Sequence, residues 1–243
     1  GGRTVWRRPQ NDSPALRVLA FLDILKSNIL DLTYDKKKEF IYEIIYKNVI
    51  YICDNIHNPC FDIWEENMGF HLYTRLVQTK ALKEYLKIYK GKNFAYLLKK
   101  YKEIKIVLNH HFKNDIISSF NVYGKILRIY DSSVILGICH IDFDNTLIDF
   151  NNKHILTYIL TIENFFKNKF IINEKFNFTF LGRYENDSYY NGQIWYICTI
   201  ALLRVYNHLN KKSKVKIFLD YIEKLKSKDL SEQIEDNTLK NLS

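Results

Sequence analysis

At 243 residues, with 47% hydrophobic and 26% charged side chains, the chain has an ordinary globular balance. That balance excludes disordered and fibrous classes and leaves room for one large domain or two small ones around a sizeable core. The net charge of +9 would suit an anionic partner, but the lysines are spread over helical faces, as at Lys36-Lys37-Lys38 and Lys99-Lys100. No compact basic stripe interleaves with aromatics, so the reading is a solvated lysine surface and no nucleic-acid partner.

Three prolines and eight glycines in the whole chain favour long helices. The first is expected over 14–29, capped by Asp12 or Ser13 and opened by Pro14, with Leu16, Leu19, Ala20 and Leu22 at helical spacing. A second covers 36–57 with Phe40, Ile44, Ile45, Ile52 and Ile56 as its stripe, stopped by Asn58-Pro59. A loop through Trp64 leads to a third at 69–89, lined by Leu72, Leu76, Ala81, Leu82 and Leu86, and a fourth follows at 93–112. Over 115–150, runs such as Ile126-Leu127 and Val134-Ile135-Leu136 read as short strands or loop. Helix returns at 152–168, a polar, aromatic loop spans 173–190, and two more helices follow at 191–209 and 213–227. These seven segments, joined by alternately short and long connections, predict an all-α array with its long loops gathered at one end.

Cys53 and Cys60 are spaced for a local bridge in an oxidising compartment, whereas Cys139 and Cys198 lie in apolar runs and read as buried thiols. No Cys/His set has zinc spacing. No 18-residue apolar run is long enough to cross a membrane. The opening Gly1-Gly2-Arg3-Thr4 reads as mid-protein sequence, so the lack of a leader there says nothing about compartment.

Four segments carry chemistry. Residues 60–70 set Asp62, Glu65 and Glu66 around Trp64 just before a helix. Acids there suit the helix macrodipole. They also suit a sugar site, where an indole face stacks on a pyranose and crowded carboxylates raise one another's pKa. The opening runs Trp6-Arg7-Arg8-Pro9-Gln10-Asn11-Asp12-Ser13-Pro14-Ala15-Leu16-Arg17. The loop 182–195 packs Arg183, Asp187 and four aromatics, including Trp195, before another helix. Near the end stands Ser231-Glu232-Gln233.

Taken in order, these segments resemble glycoside hydrolase family 15, the glucoamylases, in their fungal form. The pattern W-G-R-P-Q-x-D-G-P-A-L-R is met by Trp6, Arg8, Pro9, Gln10, Asp12, Pro14, Ala15, Leu16 and Arg17. D-L-W-E-E-x-x-G is met by Asp62, Trp64, Glu65, Glu66 and Gly69, and L-G-S-I-H by Leu136, Gly137 and His140. G-R-Y-P-E-D-x-Y-Y-N-G-x-x-W is met by Gly182, Arg183, Tyr184, Asp187, Tyr189, Tyr190, Asn191, Gly192 and Trp195, with Glu185-Asn186 in place of Pro-Glu. Ser231, Glu232 and Gln233 meet S-E-Q.

The resemblance implies an (α/α)6 barrel, the six-hairpin glycosidase fold, here as an incomplete catalytic domain over 1–243. It implies an exo-acting hydrolase that releases β-D-glucose from the non-reducing ends of α-1,4-glucans with inversion. Glu65 would be the general acid and Glu232 the general base, with Ser243 supporting the base. Trp6, Arg8, Trp64, Glu66, Arg183 and Trp195 would line the sugar subsites, with Asp62 and Asp187 behind them. The partner implied is an α-glucan or malto-oligosaccharide, bound by a monomer with no membrane partner and no metal or organic cofactor; family members occur both secreted and inside cells. A glucoamylase-like fragment that binds or regulates without cutting is the alternative. A remoter one rests on Asp142-Phe143-Asp144-Asn145-Thr146-Leu147, which resembles the first motif of haloacid-dehalogenase phosphatases, with Asp142 as nucleophile and Asp144 as acid/base beside magnesium.

Overall fold

The computed structural model describes residues 7–27, 35–112, 115–149 and 153–224, and the backbone of 233–234. Two compact units divide the chain: 1–127 with 144–148, and 128–143 with 149–243.

In the first unit, α1 (Ser13–Ser27) packs on α2 (Asp35–Asp54) and on α3 (Leu72–Ile88), which in turn pairs with α4 (Phe94–Asn109). Leu16 N–H donates to Asp12 O at 3.0 Å, which places Asp12 at the expected cap position. The buried face of α1 is Pro14, Ala15, Val18 and Leu22, not the expected Leu16, Leu19 and Ala20. Apolar residues lie on several sides of this helix, so spacing alone selects no single face. In α2 the stripe runs Ile41, Ile45, Val49, Ile52 and Cys53, whereas Phe40 is 62% exposed. The stripe expected for α3 is buried, and with it most of that helix, thirteen of seventeen residues. A small antiparallel ladder forms from β1 (Cys60–Phe61) and β2 (Met68–His71), which join α2 to α3, and β3 (Ser119–Phe120), which follows α4; β4 (Ile126–Arg128) extends it. Its register pairs Cys60 with Gly69 and His71 with Ser119. A Cβ on Gly69 would lie 2.5 Å from the Phe120 carbonyl oxygen, so only glycine lets β2 and β3 approach this closely. Asp144 joins this unit through Lys80 (2.9 Å) and Lys83 (2.6 Å) of α3.

The second unit holds α5 (Ser133–His140), α6 (Lys153–Lys169), α7 (Tyr196–His208) and α8 (Lys212–Lys224), with β5 (Ile194–Trp195) paired antiparallel to β6 (Gln233–Ile234). Thus eight α-helices occur among the described residues. The segment read as strand or loop around Val134 is the helix α5, buried at seven of its eight residues. A short apolar run buried on all sides has no amphipathic period to reveal its type. The loop from 173 is less polar than expected, because Phe178, Phe180 and Leu181 are 3%, 1% and 0% exposed. Phe178 and Phe180 pack with Tyr206, Phe218 and Tyr221 into an aromatic core. Asn173 makes this burial possible: its side chain donates to the carbonyls of Phe166 (2.9 Å) and Phe180 (3.0 Å) and accepts from Phe180 N–H (2.8 Å). Helices buried nearly all round (α3, α5) alternate with helices that bury one stripe (α2, α4, α6), as in a two-layered helical array.

All four cysteines are free and buried, so the local Cys53–Cys60 bridge does not form. Burial pushes the Cys53 thiol up to about 12. No helix among the described residues is long and apolar enough to cross a membrane.

Candidate active site

The loop 62–67 closes the β1–β2 hairpin. Its shape comes from Asp62, which is 3% exposed and turned inward. Asp62 Oδ1 accepts Glu66 N–H at 2.9 Å and Oδ2 accepts Asn67 N–H at 3.2 Å. Its main chain binds Asn67 O at 3.1 Å and accepts Glu65 N–H at 2.9 Å. The turn leaves Glu65 at φ 61°, the left-handed region that a side chain with a Cβ rarely occupies and that recurs at functional sites.

The segment 7–12 lies along this hairpin. Pro9 O accepts Phe61 N–H at 2.9 Å, Arg7 Nη1 donates to Glu66 O at 2.7 Å, and Gln10 Nε2 donates to Glu65 Oε1 at 2.8 Å. Gln10 is placed in turn through its neighbour Asn11, whose carbonyl accepts Gln78 Nε2 (2.9 Å) and whose side chain accepts the Tyr51 hydroxyl (3.0 Å). Glu65 is therefore a half-buried carboxylate held on one oxygen by a neutral amide. Behind it, burial pushes Asp12 above the usual carboxylate range; its own and Ser13 amides oppose that, and the charges of Glu65 and Asp62 reinforce it. Trp64 and Glu66 are half-buried beside it, and Arg8 is exposed, donating to Gln10 Oε1 at 3.3 Å.

The second unit carries the other cluster. Arg183 and Asp187 form a two-pronged buried pair, Nε to Oδ2 at 2.8 Å and Nη2 to Oδ1 at 2.6 Å, with side chains 4% and 1% exposed. The guanidinium sits over the rings of Tyr189 (4.9 Å), Trp195 (5.0 Å) and Tyr184 (5.1 Å). Asp187 Oδ1 also accepts Tyr189 N–H at 3.0 Å. Backbone bonds from Ser132 N–H to Arg183 O (2.8 Å) and from Glu185 N–H to Tyr130 O (3.1 Å) fasten this loop to the start of α5. Glu185 closes the attachment: its carboxylate accepts the amides of both Ile129 and Tyr130. Trp195 is 7% exposed and its backbone pairs with Gln233, the residue after Glu232.

Within the first unit, then, the sequence-expected Asp62, Trp64, Glu65, Glu66 and Arg8 share one hairpin and its flank. Within the second, Arg183, Asp187 and Trp195 share one cluster. Trp6, Glu232 and Ser243 lie outside the described residues. Gln10 and Gln78 were not singled out as site residues. Gln10 stands in the quoted motif, but only the fold brings it to Glu65 across 55 positions.

The phosphatase reading fails on this geometry. The motif needs a strand ahead of its first aspartate, but Ser133–His140 is a helix. Asp142 is 84% exposed beside Arg204, and Asp144 is clamped by Lys80 and Lys83. Among the described residues no group of three or more His, Cys, Asp or Glu could hold a metal ion.

The profile of glycosyl hydrolases family 15 matches residues 1–240, and the chain belongs to that family. It is 26% identical to a glucoamylase of Blastobotrys adeninivorans, over 81% of this chain and 36% of the relative. It is 30% identical to a glucoamylase of Saccharomycopsis fibuligera, over 82% of this chain and 45% of the relative. The chain thus spans less than half of each. Among solved structures it is similar to the Saccharomycopsis fibuligera glucoamylase, with a TM-score of 0.70 at 25% identity over 83% of this chain and 48% of that one. A glycosidase in complex with glucose shares the fold, with a TM-score of 0.71 at 14% identity over 96% of this chain and 58% of that one. The all-α architecture is accordingly that of the (α/α)6 glycosidases, of which these helices form part.

Proposed function

We propose that this chain is part of the catalytic domain of an exo-acting, inverting hydrolase that releases β-D-glucose from the non-reducing ends of α-1,4-glucans. The observation that carries the reading is Glu65: a partly exposed carboxyl on a strained hairpin turn, oriented by Gln10 and supported by inward-facing Asp62. As general acid, Glu65 donates its proton to the glycosidic oxygen as the bond to the anomeric carbon breaks. Glu232, as general base, takes a proton from the water that attacks the opposite face of the sugar. Inversion requires roughly 6.5–9.5 Å between the two carboxyl groups to admit that water. Arg183, fixed by Asp187 and flanked by aromatic rings, supplies donors to the hydroxyls of the departing glucose. The protein acts as a monomer on soluble or polymeric α-glucan.

The test is glucose release from maltose and soluble starch by the wild type, Glu65→Gln and Glu232→Gln, with the first-formed anomer read by proton NMR. The expected result is β-glucose from the wild type and a loss of about 10²–10⁴-fold in each variant. Initial α-glucose, or a Glu65→Gln protein that hydrolyses at the wild-type rate, overturns the assignment. A folded wild type that binds maltose without cutting it leaves a glucan-binding module.

A further inference from the structure

At the far end of α5 and α7 from the Arg183 loop, the second unit carries an open cleft of about 440 Å³. Its wall is built by an unusual turn. α5 ends at His140, after which Ile141 N–H donates to Gly137 O, Asp142 N–H to Cys139 O and Phe143 N–H to Ile138 O. Closing that turn places Asp142 at φ 54° and Phe143 at φ 51°. One left-handed residue commonly ends a helix, usually glycine; two in succession, the second a phenylalanine, is a genuine outlier. The turn lays the Phe143 ring flat on the His208 imidazole, with centroids 4.2 Å apart and planes within 5°. Arg204 reaches the same place, 3.8 Å from the Asp142 carboxylate and 5.9 Å from the Phe143 ring centre. Leu203, Asn207 and Val215 complete the lining.

We propose that this cleft is a second carbohydrate site, distinct from the Arg183 cluster, that binds a glucose unit of an α-glucan chain. The sugar class follows from the chemistry. A stacked aromatic pair offers a flat surface for the C–H face of a pyranose. Around it stand an acceptor-only carboxylate (Asp142), a planar donor fork (Arg204) and an amide that does both (Asn207), the set that grips neighbouring hydroxyls. The exposed carboxylate disfavours a phosphate or another anion. At 1.5 Å per residue along α7, the cleft residues Arg204 and His208 lie about 14 and 20 Å from Trp195 at the helix's other end. One sugar unit cannot occupy both places, so the cleft tethers a longer chain. That the sugar is an α-glucan rests on the function proposed above.

The probe is maltoheptaose, titrated calorimetrically into the hydrolysis-blocked Glu65→Gln chain with and without Phe143→Gly. Glycine suits the left-handed backbone, so that variant removes the ring without obstructing the turn, and its Tm should not fall. The expected result is two bound maltoheptaose molecules falling to one with Phe143→Gly, and binding at the cleft about tenfold weaker with His208→Ala. With Glu65 intact, Phe143→Gly should hydrolyse maltose within about twofold of the wild type, because the His208 ring on which Phe143 stacks lies roughly 20 Å by helix rise from Trp195 of the Arg183 cluster. Unchanged stoichiometry and affinity in Phe143→Gly overturn the proposal, as does loss of maltose hydrolysis together with binding. If the wild type cuts no maltose yet Phe143→Gly still abolishes a maltoheptaose site, the cleft stands and the hydrolase reading falls.

Discussion

Removing Asp187 should be among the most damaging single changes in the second unit. Its carboxylate neutralises Arg183 through two short hydrogen bonds in a place where both side chains are nearly sealed from water, and it also holds the Tyr189 amide. Asp187→Ala strips a buried guanidinium of this two-pronged carboxylate, which costs about 3–5 kcal/mol. For a chain of this size each kcal/mol lowers Tm by about 2–4 °C, so the fall should be about 6–20 °C. Replacing both partners by apolar side chains, Arg183→Met with Asp187→Leu, should recover about half of that loss, since well-packed apolar pairs often match buried ion pairs. The residual deficit, about 1–3 kcal/mol, is the Tyr189 amide deprived of its acceptor. Thermal and urea unfolding of Arg183→Met, Asp187→Leu and the double variant, beside the wild type, form a complete cycle. A Tm change below about 3 °C in Asp187→Ala would refute the reasoning, since that is the scale of a solvent-exposed pair. The double variant also separates stability from chemistry: it should fold and yet release glucose far more slowly, because the donor fork is gone.

Two further expectations follow from the first unit. Asp62→Ala strips the acceptor from the Glu66 and Asn67 amides and lets the Glu65 turn relax; glucose release from maltose should drop about 10²-fold, the usual result of misplacing a catalytic group by an ångström, and an unchanged rate would remove Asp62 from the positioning of the acid. For Asp144, burial alone would raise the carboxyl, but Lys83, Lys80 and Thr146 outweigh it and hold it well below the usual range. A depressed folded pKa stabilises fully above the unfolded value of about 3.9 and is lost as pH falls below it toward the folded one. The urea stability gap between the wild type and Asp144→Asn should thus be widest near neutral pH and shrink below about pH 4; a gap as wide at pH 2.5 would contradict the clamp.

The long helices were legible because glycine and proline are scarce and because α3 repeats apolar residues at helical spacing. The faces of α1 and α2 were less so. Leu19 and Phe40 are as apolar as the Val18 and Ile41 that are buried, and only the neighbouring helices choose between them. α5 was mistaken for strand or loop because Val134 to Cys139 is uniformly apolar, and the loop from 173 looked polar because its buried phenylalanines alternate with asparagine and threonine.

Order along the chain was enough to determine the family, since the motifs around Arg8, Glu65 and Arg183 are long and collinear and each keeps its chemistry in its own residue types. The positive φ of Glu65, its amide partner Gln10, the Tyr51 and Gln78 contacts behind Asn11, and the flat stacking of Phe143 on His208 were decided only by the tertiary structure. Each joins residues tens of positions apart, or puts a backbone where its own side chain disfavours it. Such conformations have no local preference to announce them; packing in the finished fold over-determines them.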